Sequence, residues 1–299
     1  MIVRTDDTGR WMDDNGGDWT DRVSGPNAAQ SGRVPGWDMV DHDVAIIDNA
    51  TLALSYQTGL MNAVMAIGVE PNSGEVTVVG TEATNEIRFE PNLNGRFVRV
   101  HAAAFPPAGG TTLIEDVNSH LTYMDGPVFV PEPQSVRDRS IGDPRAIVWT
   151  DDGRGFVAGM GSNNITEISL GLVRSGTADT IEVGQGPTGI AVDNGRDRLY
   201  VINKFDASIS IVDTTSESVV GTVAFPDPTP TAIKQGRPFL YDTHLTSGLG
   251  QASCASCHID ARMDRLAWDL GDPSGAMKAF DQNCLLGGCQ DWHPMKGPM

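Results

Sequence analysis

The chain has 299 residues, with 39 acidic against 21 basic side chains and a net charge of −18 with histidine neutral; a surface this acidic repels phosphate backbones and anionic headgroups, which argues against nucleic acid or a membrane surface as partner and favours something cationic. Aromatic residues make up only 6%, while Gly (34) and Pro (18) are abundant, a balance that argues against a helical bundle and for many short strands. No apolar run approaches the roughly 18 residues of a spanning helix, and the opening residues lack the basic region and apolar core of an export signal.

From the N-terminus, Asp13-Asp-Asn15-Gly-Gly-Asp18 has the composition of a calcium loop, but Asp18 stands where the loop glycine belongs and Ser24 where the bidentate glutamate belongs. It reads as a solvated acidic turn, flanked by Trp11 and Trp19. The chain then begins to repeat. Pro144-Arg-Ala-Ile-Val-Trp-Thr-Asp-Asp-Gly-Arg, running on to Ile165–Ile168, matches Pro187-Thr-Gly-Ile-Ala-Val-Asp-Asn-Gly-Arg, running on to Ile209–Val212, at an offset of roughly 43 residues. A degenerate copy runs from Ala66 through Val76–Val79 to Glu86–Phe89. Short or alternating apolar runs between Gly, Asp and Asn turns predict strand, turn, strand. The period is that of a propeller blade.

These units resemble the YVTN family of β-propeller repeats, with Leu199-Tyr-Val-Ile-Asn203 at the place of the family's signature strand and Ile209–Asp213 as the next strand. The resemblance spans 143–225 well and 44–90 moderately. Residues of about 102–135, with Pro106-Pro107 and Gly109-Gly110, read as an insertion loop carried by a blade. The resemblance implies a partial propeller over residues 1–225, with further blades expected ahead of it, because an open arc leaves sheet edges unpaired. Gly184-Gln-Gly186-Pro-Thr-Gly189 satisfies the dinucleotide pattern G-x-G-x-x-G, but the strand-like Ile190-Ala-Val192 comes next where a helix is needed, so it reads as a turn.

Charge and cysteine content both divide the chain near residue 230. The part from Gly236 onward is nearly neutral and holds all four cysteines, at 254, 257, 284 and 289. Phe225-Pro-Asp-Pro-Thr-Pro230 begins a stiff, proline-rich linker expected over 226–235, ahead of a small α-helical domain over 236–299.

The chemistry lies in Cys254-Ala-Ser-Cys257-His258. Two thiols three residues apart stand on one face of a helical turn, where both can add to the vinyl groups of one porphyrin, and the next residue offers an imidazole to the iron. This spacing is that of c-type haem attachment. Taken as residues alone, a zinc site that recruits Cys284 and Cys289 and a redox dithiol stay open as other readings. If haem is attached, Cys254, Cys257 and His258 are its binding residues and His258 the proximal iron ligand, with one haem in this chain.

The flanks narrow the choice. Gly236-Arg-Pro-Phe-Leu-Tyr-Asp242, Leu245-Thr-Ser247, Gly250 and Ser253-Cys-Ala-Ser-Cys-His258 together resemble the start of the first haem domain of bacterial dihaem cytochrome c peroxidases and the related MauG proteins. His293-Pro-Met-Lys296-Gly-Pro298 resembles the stretch in which that family carries its distal histidine, one residue short in spacing. The resemblance implies His293 as distal ligand; Met295 and Met299 are the alternatives, and a thioether there would raise the potential. It also implies a second haem and further sequence beyond Met299.

Arg262 and Arg265 are placed to meet haem propionates, Trp268 to line the pocket, and His244 reads as structural. Cys284 and Cys289 are close enough in sequence to form a disulfide in the oxidising compartment that haem attachment requires. The expectation is a mainly β chain: a partial β-propeller followed by a small helical cytochrome c-like domain, periplasmic or extracellular. It would exchange electrons with a redox partner protein or a small oxidant such as peroxide, with peroxidase activity in the intact protein. The alternative is a propeller scaffold that binds proteins and carries a structural metal or non-catalytic haem.

Overall fold

The computed structural model describes residues 3–6, 8–13, 17–23, 26–27, 42–83, 98–121, 132–177, 179–261, 267–269 and 294–296. A short antiparallel hairpin, β1 (Val3–Thr5) with β2 (Trp11–Asp13), is followed by a single helical turn, α1 (Thr20–Val23). A second hairpin pairs β3 (Val44–Ile47) with β4 (Leu54–Gln57). Three four-stranded antiparallel sheets then succeed one another along the chain.

The first sheet runs β5 (Ala63–Val69), β6 (Val76–Ala83), β7 (Val98–Phe105) and β8 (Leu113–Asp116). After the helical turn α2 (Gln134–Arg137), the second runs β9 (Pro144–Trp149), β10 (Gly155–Gly159), β11 (Asn164–Ile168) and β12 (Ile181–Glu182). The third runs β13 (Pro187–Asp193), β14 (Arg198–Asn203), β15 (Ser208–Asp213) and β16 (Ser218–Ala224). Each is a simple meander. The first strands lie side by side, β9 between β5 and β13, so the sheets radiate as the blades of a partial β-propeller.

Strand periodicity explains why the apolar runs are continuous. In β9, Ala146 and Val148 face the third sheet while Ile147 and Trp149 face the first; in β10, Phe156 and Ala158 face one way and Val157 the other. A middle sheet buries both faces, so both registers must be apolar. One core joins Val79, Val100, Ala102 and Ala104 of the first sheet to Ile147, Trp149, Val157 and Ile168 of the second. Another joins Phe156 and Ile165 to Leu199, Val201 and Val212 of the third. Val44 and Ile46 of the β3–β4 hairpin pack on the first sheet beside Val78 and Phe105. Gly155 is required inside the second sheet, since a Cβ there would lie 2.8 Å from its β11 neighbour Ile168 and 2.9 Å from its β9 neighbour Trp149.

One expectation is corrected. The segment read as an insertion loop over 102–135 contributes two strands of the first sheet, β7 and β8, and Ala102 and Ala103 are fully buried. A run of alanines carries little strand propensity, yet small side chains suit a strand covered on both faces. Val98–Phe105 is the strand that pairs with β6 in this sheet; the expected Glu86–Phe89 lies outside the described residues. The Gly184–Gly189 pattern does lead into a strand, β13. The residues read as a calcium-like turn fall partly outside the described set.

Beyond the third sheet the chain runs without helix or strand to Pro230, which takes the N-cap position of helix α3 (Thr231–Tyr241), so helix begins inside the segment expected to be linker. Asp227 pairs with Lys234 across that start at 2.7 Å. Two single turns come next, α4 (Thr243–Thr246) and α5 (Cys254–Cys257), and two three-residue strands, β17 (Ala267–Asp269) and β18 (Pro294–Lys296), pair antiparallel. Among the described residues the helices after 230 are thus few and short. None is long and apolar enough to cross a membrane.

Candidate functional site

Residues 242–260 run across the end of the first and second sheets at which β7 and β9 begin. Asp242 caps α4 by accepting from Leu245 N–H at 2.9 Å and also takes a bond from the Asn163 amide at 3.3 Å. Thr243 is buried, its N–H donating to Gly161 O at 2.9 Å. Gly142 and Gly161 make room for it, for a Cβ on either would come within 2.7 Å of its side chain. Arg137 donates to the carbonyls of His244 and Ser247, both at 3.2 Å. Ser140 Oγ donates to Leu249 O at 2.7 Å. Gln251, fully buried, donates to Val98 O at 2.6 Å and accepts from Asn118 at 3.2 Å. A strand of the first sheet and the loops that flank the strands of the second are both engaged.

This seat delivers the Cys254-Ala-Ser-Cys257-His258 turn. Ser253 is extended and caps the helix start; its N–H donates to Ser256 Oγ at 2.9 Å, one half of a capping box. His258 closes the turn, its N–H donating to Cys254 O at 3.0 Å. Both serine hydroxyls donate to one carboxylate of the sheet: Ser256 Oγ to Asp143 Oδ1 at 2.7 Å and Ser253 Oγ to Asp143 Oδ2 at 3.2 Å. Asp143 is fully buried immediately before β9. Burial pushes its carboxyl up from the ordinary range, opposed by Ser256, Arg145 and Ser253.

The five residues divide by face. Ala255 and Ser256 are buried against the sheets, whereas Cys254 and His258 are exposed and Cys257 is half-buried. Just beyond, Asp260 lies 3.5 Å from the Arg145 guanidinium, whose buried Nε has no hydrogen-bond partner among the described residues. His244 is structural, as its sequence context suggests: Nε2 lies 2.9 Å from Ser140 O. His293 and Met299, expected as sixth ligands, lie outside the described residues, as do Arg262, Arg265, Cys284 and Cys289. For Met295 only the backbone is described, paired with Trp268 in the β17–β18 ladder. Among the described residues, no three His, Cys, Asp or Glu side chains converge on one point.

Asp143 was not singled out by sequence reasoning, though a signal exists. It occupies the repeat position that Gly186 holds one unit later, and both have left-handed backbones, φ 47° and 67°. At the other end of β9 the structure also forms a polar cleft of about 300 Å³ lined by Thr150, Asp151, Arg154, Asn194, Arg198 and Thr214. Its two arginines are held by Glu167 and Asp213.

No protein-family profile matches the sequence, and no curated protein is detectably similar to it. Part of the backbone is similar to virginiamycin B lyase from Staphylococcus aureus (14% identity over 76% of this chain and 55% of that one, TM-score 0.39). It is also similar to the nidogen/laminin complex (13%, 58% and 51%, TM-score 0.37) and to hydrazine synthase of Kuenenia stuttgartiensis (14%, 59% and 40%, TM-score 0.34). The chain spans about half the length of these structures.

Proposed function

We propose that the chain is an exported c-type haem protein on a propeller scaffold, in which Cys254 and Cys257 hold a porphyrin covalently and His258 gives a ring nitrogen to its iron. One observation carries this reading: within Cys254–His258 the two intervening residues are buried against the sheets, while the histidine and both cysteines keep access to solvent. The donor set fits the group. Two thiols on one turn of helix can reach two vinyl groups on one edge of a ring, and an adjacent imidazole suits ferric or ferrous iron.

When bound, the haem supplies one-electron transfer between a redox partner protein and an acceptor, with peroxide as the oxidant reduced in the intact protein. The chain's own residues do the rest. If the group is attached, Cys254 and Cys257 would anchor it, His258 would supply one ligand to its iron, and His293, or Met295 or Met299 in its stead, would supply a second. The net charge of −18 favours a partner with a cationic face. Covalent attachment places the protein in a periplasmic or extracellular compartment.

The test is a reduced-minus-oxidised visible spectrum of protein produced in a periplasm equipped for haem attachment, with acid-acetone extraction after denaturation. Haem that survives extraction and gives a sharp reduced low-spin band supports the proposal. A colourless, folded protein containing zinc overturns it and favours the scaffold reading.

A further inference from the structure

We propose that Asp143 is the positioning residue that fixes the Cys254–His258 turn on the propeller; as a role in cofactor attachment this rests on the haem reading above. At the matching place in the next repeat stands Gly186, where a Cβ would meet the Phe205 ring at 2.4 Å and where φ is 67°. Glycine is the unstrained choice for such a corner. The second sheet instead places an aspartate there at φ 47° and buries it completely. Aspartate tolerates this conformation better than most residues, but a buried carboxylate is costly unless hydrogen-bonded. The neighbouring sheet forms the same corner with glycine, so the corner itself does not require the carboxylate, whose side-chain hydrogen bonds among the described residues go to Ser253 and Ser256.

The aspartate and its burial are both explained by what the carboxylate holds. Its two oxygens take the hydroxyls of Ser253 and Ser256, the first and fourth residues of the capping box that starts the attachment turn. Because Ser256 also receives the Ser253 N–H, the carboxylate orients the hydroxyl that closes the box. This contact turns Ala255 and Ser256 inward, and by helical geometry Cys254, Cys257 and His258 outward. Asp143 bonds the two serines and acts on the thiols and the imidazole through them.

The experiment compares wild type with Asp143→Gly, the residue the repeat uses at this corner, and with Ser256→Ala. Apo-protein is followed by amide hydrogen exchange at Ser253, Ser256 and His258, and by thermal unfolding. Asp143→Gly is expected to leave the unfolding midpoint of the sheets unchanged or raised. Exchange at the three amides is expected to accelerate about tenfold to a hundredfold, the range for bonds to a charged group. Ser256→Ala should accelerate the same amides, and the double variant should add little. In haem-competent cells the same variants should show less covalent haem per folded chain. Unchanged exchange in Asp143→Gly overturns the assignment whatever the haem yield. Accelerated exchange in the variants of a protein that never acquires haem supports the clamp and instead sinks the haem reading.

Discussion

The packing of the second sheet on the first makes a sharp prediction at Trp149. Its indole is 5% exposed and its Nε1–H donates to Thr77 Oγ1 at 2.9 Å, a bond between sheets; Thr77 in turn lies 3.2 Å from Gly68 O as donor. Trp149→Phe removes roughly 40 Å³ from a close-packed site, about 1 kcal/mol at the cavity coefficient, and one buried hydrogen bond, about 1 kcal/mol more. The total of about 2 kcal/mol corresponds to a midpoint shift of about 4–8 °C in a domain of this size. Thr77→Val strands the indole N–H without a partner and costs about 1–3 kcal/mol. In the double variant nothing is stranded, so the combined loss falls short of the sum by about 1 kcal/mol. Urea unfolding followed by far-UV circular dichroism measures each term, provided the slopes agree. Losses that add to within about 0.3 kcal/mol would refute the contact, and with it the face-to-face packing of the two sheets.

Further outcomes are expected elsewhere. His120 is half-buried among Val136 O, Arg174 and Arg139, and burial with those two cations holds its pKa near 4. Because the folded value lies below the ordinary 6.5, the fold favours the neutral ring: stability is full above about pH 6.5 and declines as pH falls toward 4. His120→Gln should flatten that slope in unfolding free energy measured between about pH 4 and 7. Arg154 bonds Glu167 through Nε at 3.0 Å and reaches Thr214 O at 2.9 Å, tying the second sheet to the third. Arg154→Ala leaves Glu167 buried at 7% exposure and should cost about 3 kcal/mol in chemical denaturation. In haem-loaded protein, His258→Ala should abolish the low-spin spectrum while haem stays attached through Cys254 and Cys257; retention of the low-spin band would show that another residue ligates the iron on that side.

The propeller-like repeats and the main strands of the second and third sheets were legible in the sequence because they rest on local rules. Alternating apolar residues and Gly or Asp turns mark β9 to β11 and β13 to β15, and Pro144 and Pro187 each open the first strand of a sheet. The decoy at Gly184–Gly189 was legible for the same reason: Ile190-Ala-Val192 continues it as a strand. The Cys254-Ala-Ser-Cys257-His258 spacing likewise presents its chemistry in any helical turn. Strands β7 and β8 were not legible, because Ala102–Ala104 gain their strand conformation from two covering sheets rather than from propensity. Nor was the seat of the cysteine turn, for Asp143 meets Ser253 across 110 residues of chain. Composition, period and motif are properties of neighbours along the chain, and these the sequence determined by itself. Which carboxylate is buried beneath which serine depends on how radiating sheets bring distant corners together, and that only the tertiary structure decided.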